Sequence, residues 1–165
     1  MSDKAIILVA YYSQGGTTKK MAEAVVQGVN DAGGTALLRS VEKVTRDDLL
    51  ACHGMIVGSP VYFGTMAAPV KKFLDKYVGL RKKMENKVGA AFASSAHHTG
   101  GKETTILSIL QGMLIYGMII VGDPLAASGH YGVACHEKAT PETLRHSAML
   151  GSRVTELAQK VISLQ

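Results

Sequence analysis

The sequence predicts an open, doubly wound α/β fold, with five parallel strands and helices on both faces. Three observations predict it. Apolar runs of strand length alternate with helical periodicity along the whole chain. The first run, residues 5–12, is apolar on both faces, as in a parallel strand covered on both sides. That run stops at Ser13 and passes through Gly15-Gly16 and two threonines into a helical pattern, which is how a buried strand feeds a tight loop that opens a helix.

The first helix, residues 16–32, sets Ala22, Val25, Val26 and Val29 on one face, and Gly33-Gly34 stops it. Residues 35–41 form the second strand, and Thr45 caps a short helix that runs to Cys52. The third strand, residues 54–59, ends at Pro60, and a loop over 61–66 leads into a helix over 67–78. Pro69 suits that helix's first turn, where a missing N–H costs little. Residues 88–93 make the fourth strand and 94–101 a polar loop. The helix over 102–116 is apolar around much of its circumference and is expected to be well buried. A fifth strand, 118–122, precedes a long irregular segment, 123–140. Thr140 and Pro141 then start a last helix carrying Leu150, Val154, Leu157, Ala158 and Val161. No repeat, low-complexity tract or linker divides the 165 residues, so one domain over 1–165 is expected.

Composition narrows the function. The net charge is +5, with much of the excess in residues 71–87. No nucleic-acid motif accompanies those lysines, so a solvated helix face and basic linker are expected there and nucleic-acid binding is not. No apolar run reaches the roughly 18 residues of a membrane span. The N-terminus has no small-residue cleavage site after its apolar run. A cytoplasmic protein is the expectation. Cys52 and Cys135 make no disulfide framework, and no metal site is expected from two Cys-His dipeptides.

Right-handed crossovers bring the C-terminal ends of all strands to one edge, where ligands bind in such sheets. Three loops meet there: 13–18, 60–64 and 94–101. The first has neither the lysine of a P-loop nor G-x-G-x-x-G, and the first and third strands lack the terminal acids of a phosphoacceptor domain. What remains is a nest of hydroxyls (Ser13, Thr17, Thr18) and backbone amides that can hold a phosphate without a cation. Tyr62 and Phe63, between Pro60 and Gly64, offer a surface for a flat ring, so the loops fit a flavin better than any other phosphate ligand.

The residues Tyr11-Tyr12-Ser13 with Gly16, the block Gly58-Ser59-Pro60-x-Tyr62-Phe63-Gly64-x-Met66-Ala67, and Phe73-Leu74-Asp75 resemble the flavodoxin-like WrbA-type NAD(P)H:quinone oxidoreductases. Phe92-x-Ser94-Ser95, Gly100-Gly101, Glu103, Thr105, Tyr116-Gly117-Met118 and Tyr131-Gly132 extend the resemblance over almost the whole chain. The resemblance implies noncovalent FMN. Ser13, Gln14, Gly15, Gly16, Thr17 and Thr18 would hold its phosphate, and Pro60, Val61, Tyr62, Phe63 and Gly64 would contact the ring. Ser94, Ser95, Ala96, His97, His98, Thr99, Gly100 and Gly101 would form a third wall, joined by Tyr131. It also implies NADPH or NADH as cosubstrate, a quinone-like acceptor and a homo-oligomer, dimer or tetramer. The chain differs from the family pattern in a short segment before the third strand, the lack of any Trp, and Ile115 where the family has a His. His97, His98 and His130 are the candidate proton donors, since a near-neutral imidazole suits that role. The alternative is a flavodoxin-type electron carrier with no small-molecule substrate. Such carriers are usually acidic, and this chain's pI is near 9.2.

Overall fold

The computed structural model describes residues 4–164. Residues 1–3 and 165, which the one-domain reading includes, lie outside the described residues. The chain runs β1 (Ile6–Tyr11), α1 (Thr17–Asp31), β2 (Thr35–Ser40), α2 (Arg46–Ala51), β3 (Gly54–Tyr62), β4 (Thr65–Met66), α3 (Ala68–Lys76) and α4 (Arg81–Met84). It continues through β5 (Val88–Ser95), α5 (Lys102–Ile115), β6 (Ile119–Ile120), β7 (Val133–His136) and α6 (Pro141–Ile162). The strand order β2-β1-β3-β5-β6 is parallel throughout, β4 hairpins back on β3, and β7 lies beside β5. This is the flavodoxin-like α/β fold predicted, with a five-strand core and two short additions. From β1 the chain steps out to β2 and returns to β3 on the other side, so the topological switch lies between β1 and β3.

The period of two along each strand divides the core. Ile7, Val9, Ile56, Ala90 and Phe92 face Met21, Val25, Leu150 and Val154 of α1 and α6. Leu8, Ala10, Met55, Val57, Ala91 and Ala93 face Val70, Phe73, Ile106, Ile109 and Met113 of α3 and α5. α1 and α6 approach closely because glycines sit where they cross. A Cβ on Gly28 would lie 1.7 Å from the Ala148 carbonyl oxygen, and one on Gly151 2.2 Å from that of Val25.

Five elements differ from the sequence expectation. β3 continues through Pro60 to Tyr62. Its pairing with β1 ends at Gly58, so the proline removes no N–H from that ladder. The fourth strand extends to Ser95, carrying Ser94 and Ser95 into the sheet. The basic stretch is not a linker. A 3-10 turn and α4 continue it, Lys87 Nζ donates to the carbonyls of Leu49 and Leu50, and Arg81 Nε donates to that of Ile115. The segment 123–140 is not wholly irregular, since it contains β7. The fifth strand is thus split, with β6 against Val88-Gly89 and β7 against residues 92–95. The intervening loop is closed by the buried Asp123 carboxylate, which accepts from Ser128 Oγ and from the N–H groups of Gly129 and His130. Arg153 Nη1 fastens it from α6 through the carbonyls of Gly122 and Asp123. α5, for its part, buries one stripe only and leaves Leu114 and Ile115 exposed.

Candidate functional site

The three predicted loops come together at the C-terminal edge of the sheet, around a cavity of about 150 Å³. The first is shaped by the start of α1. Gly16 is its N-cap, at φ +94°, and supplies no side chain to cap it. Ser13 Oγ accepts from the N–H groups of Gly16 (3.1 Å) and Lys19 (3.3 Å), fixing the loop. Among the described residues, the N–H groups of Gln14, Gly15, Thr17 and Thr18 find no acceptor. No acid lies in the first turn to offset the positive end of the helix. The hydroxyls divide differently from the sequence expectation. Thr18 is buried and its Oγ1 pairs with Ser94 Oγ at 2.7 Å, so it ties the first loop to β5 while Ser13 braces the loop itself, and the Thr17 hydroxyl finds no partner among the described residues.

The second loop is a hairpin that the sequence did not reveal. Val61 pairs with Met66 and Tyr62 with Thr65, leaving Phe63 and Gly64 as a two-residue turn with φ of +50° and +76°. Positive φ at both positions is the type I′ pattern that follows strand twist. Phe63 accepts a conformation unusual for a bulky residue and projects wholly into solvent. Thr104 Oγ1 ties the turn to α5 by donating to the Gly64 carbonyl. Tyr62 Oη donates to Gln14 Oε1 at 2.8 Å and so bridges the first two loops. Burial and the neighbouring Tyr12 raise the Tyr62 pKa, keeping the phenol protonated as a donor.

The third loop leaves the buried end of β5. Ser95 Oγ donates to the His97 carbonyl, and Thr99 holds the His97 ring at Nδ1. The His98 ring stands edge-on to that of His136, with centroids 5.0 Å apart.

Of the predicted residues, Ser13, Gln14, Gly15, Thr17, Thr18, Pro60, Val61, Tyr62, Ser94, Ser95 and Ala96 line the cavity. Gly16 stands behind them at the N-cap, and Phe63 and Gly64 form the hairpin tip. His97, His98, Thr99, Gly100 and Gly101 lead from the cavity wall to α5. His130 and Tyr131 lie in the loop between β6 and β7, outside the lining. Glu137 also lines the cavity, and sequence reasoning missed it. The strand just before it was read as irregular, so nothing signalled that residue 137 would reach this edge. Among the described residues no Lys or Arg lines the cavity, and no group of three His, Cys, Asp or Glu could hold a metal ion. Cys52 and Cys135 are buried elsewhere; burial pushes both thiols up to about 11, so neither is a ready nucleophile.

Residues 39–132 match the model of the NADPH-dependent FMN reductase family. The chain belongs to that family. It is 33% identical to an NAD(P)H dehydrogenase (quinone) of Archaeoglobus fulgidus, over 95% of this chain and 99% of the relative. It is 34% identical to a flavodoxin of Aquifex aeolicus, over 91% of this chain and 85% of the relative. Among solved structures it resembles the flavodoxin, WrbA-like protein from Agrobacterium tumefaciens, with a TM-score of 0.81, 26% identity and coverage of 95% and 99% of the two chains. Among the described residues, no helix is long and apolar enough to cross a membrane.

Proposed function

We propose that the chain acts as one FMN-binding domain that passes two electrons from NADPH or NADH to a quinone-like acceptor. One observation carries the reading. The uncapped start of α1 presents unsatisfied amides to a cavity that Val61 and Tyr62 of the β3–β4 hairpin also line. The residues fit the cofactor. A Cβ built on Gly15 or Gly16 would meet nothing within 4 Å, so the protein does not fill its own cradle. Amides at a helix N-terminus suit a phosphate, and the absence of a lining Lys or Arg among the described residues is no obstacle. In this reading 13–18 hold the phosphate, while Pro60, Val61, Tyr62, Phe63 and Gly64 meet the ring system. Residues 94–101 wall the third side, with Tyr131 at its margin.

When bound, FMN supplies the two-electron chemistry between nicotinamide and quinone. The chain binds, orients and manages protons. Tyr62, hydrogen-bonded to Gln14, holds the ring loop against the phosphate loop. Phe63 leaves an aromatic face for a planar cosubstrate. His97 is the proton donor best placed beside the cavity, because Thr99 engages Nδ1 and leaves Nε2 to exchange a proton. His98 and His130 are more remote candidates. A homo-oligomer in the cytoplasm completes the proposal, in keeping with the exposed Leu114, Ile115 and Val78.

An electron-carrier role is favoured by the Aquifex relative and disfavoured by the basic charge. Anaerobic titration separates the two. Bleaching of the flavin spectrum by NADPH or NADH, then recovery with benzoquinone, is expected. Inertness to both nucleotides, with reduction by a ferredoxin-type protein, would establish the carrier instead. A protein that takes up no added FMN would defeat both readings.

A further inference from the structure

Glu137 is the one carboxylate on the cavity wall among the described residues, and its backbone is held in an unfavourable shape to put it there. Its φ is +59°, a left-handed value that costs a glutamate energy. Its N–H donates to the Ser95 carbonyl at 2.7 Å, and the Lys138 N–H donates to the His136 carbonyl at 2.7 Å. The second bond spans two residues, so 136–138 form a γ-turn of the rare, strained kind with Glu137 at its centre. The turn follows directly on β7, whose register sets His136 against Ser95, and the His98 ring packs on His136. Two hydrogen bonds and a ring contact therefore hold a strained residue beside Ser94, Ser95 and Ala96.

A carboxylate repels a phosphate dianion, and the phosphate's donors are the amides at the start of α1. Glu137 and the start of α1 both line the cavity, so a phosphate held by the α1 amides leaves the carboxylate to meet a neutral, hydroxyl-bearing part of the ligand. A carboxylate only accepts hydrogen bonds, and a polyol supplies donors at every carbon.

We propose that Glu137 is a positioning residue for the flavin, its carboxylate accepting hydrogen bonds from the ribityl hydroxyls. This rests on the FMN reading above. It makes the ribityl chain, and not only the phosphate, a determinant of binding.

The test compares apoprotein affinity for FMN, riboflavin and lumiflavin, which has no ribityl chain, by fluorescence quenching. Glu137→Gly keeps the turn, since glycine adopts positive φ freely, and removes the acceptor. FMN and riboflavin are expected to weaken by the same factor, about tenfold for hydrogen bonds to a charged group, with lumiflavin unchanged. Glu137→Gln, which keeps one acceptor oxygen, is expected to show a smaller loss of the same pattern. Tighter FMN binding with unchanged riboflavin would overturn the assignment and place the carboxylate at the phosphate. Unaltered affinity in Glu137→Gly for all three flavins would overturn it as well. Wild-type protein that binds no flavin at all would fail the FMN reading together with it, whereas normal wild-type uptake with an inert Glu137→Gly fails this inference alone.

Discussion

Helices α1 and α2 each follow a strand of the parallel sheet, and their first turns are opposites. α2 satisfies itself. Thr45 accepts from the Asp48 N–H, and Asp48 accepts from the Thr45 N–H and hydroxyl and from Arg39. α1 has a glycine for its N-cap and no acid in its first turn, and leaves the amides of Thr17 and Thr18 without an acceptor among the described residues. α6 follows the first pattern through Thr140. α5 stands between the two: its N-cap, Gly101 at φ +103°, offers no side chain, but Glu103 lies in its first turn. The difference separates helix starts that stabilise the fold from those kept open for something else, since an unmet N-terminal amide costs stability unless a ligand meets it.

Substitutions at the two starts should therefore have separable effects. The largest is expected at Gly16→Val. A β-branched residue at φ +94° costs about 3 kcal/mol, and FMN affinity should fall by more than about tenfold, read by denaturant unfolding and fluorescence titration. Undiminished FMN uptake would show that the start of α1 is not the phosphate seat. At α2, Asp48→Ala should cost about 2 kcal/mol, in line with hydrogen bonds to a charged group, and leave FMN affinity alone. Its pH dependence carries a sign. Burial opposes ionisation of Asp48, but the Thr45 hydrogen bonds and Arg39 outweigh it, and the pKa lies below the ordinary 3.8. A depressed carboxylate stabilises fully above its unfolded value and loses that contribution as pH falls through the folded one. The stability gap between wild type and Asp48→Ala should hold constant at neutral pH and narrow below about pH 4. The smallest effect is at Thr105 in α5, whose buried hydroxyl finds no partner among the described residues. Thr105→Val should raise stability by about 1 kcal/mol or less, seen as a higher thermal midpoint. A loss would mean that the hydroxyl serves the site.

These contrasts were unequally visible in the sequence. The caps at Thr45 and Thr140, the apolar first strand and the glycines at 15–16 are local signals, and each led to the right element. The hairpin at 61–66 was hidden because Phe63 takes a turn position normally given to Gly or Asn. β7 was hidden because four residues, Val133–His136, are too few to show a period, and its pairing with β5 is a tertiary effect. Glu137 was lost with it. The internal roles of Thr18 and Ser13 could not be read either, since a hydroxyl in a loop looks the same whether it faces a ligand or Ser94.

The split in the fifth strand makes the loop between its halves an exchangeable cassette. β6 and β7 each hold their own register on β5, and Asp123 and Arg153 close the loop at its base. Changes within residues 124–131 that keep the bonds of Ser128, Gly129 and His130 to Asp123 therefore shift no ladder bond on either side. A lineage can revise the surface around Leu125 and Tyr131 while the cavity wall at Ser94 and Ser95 stays fixed.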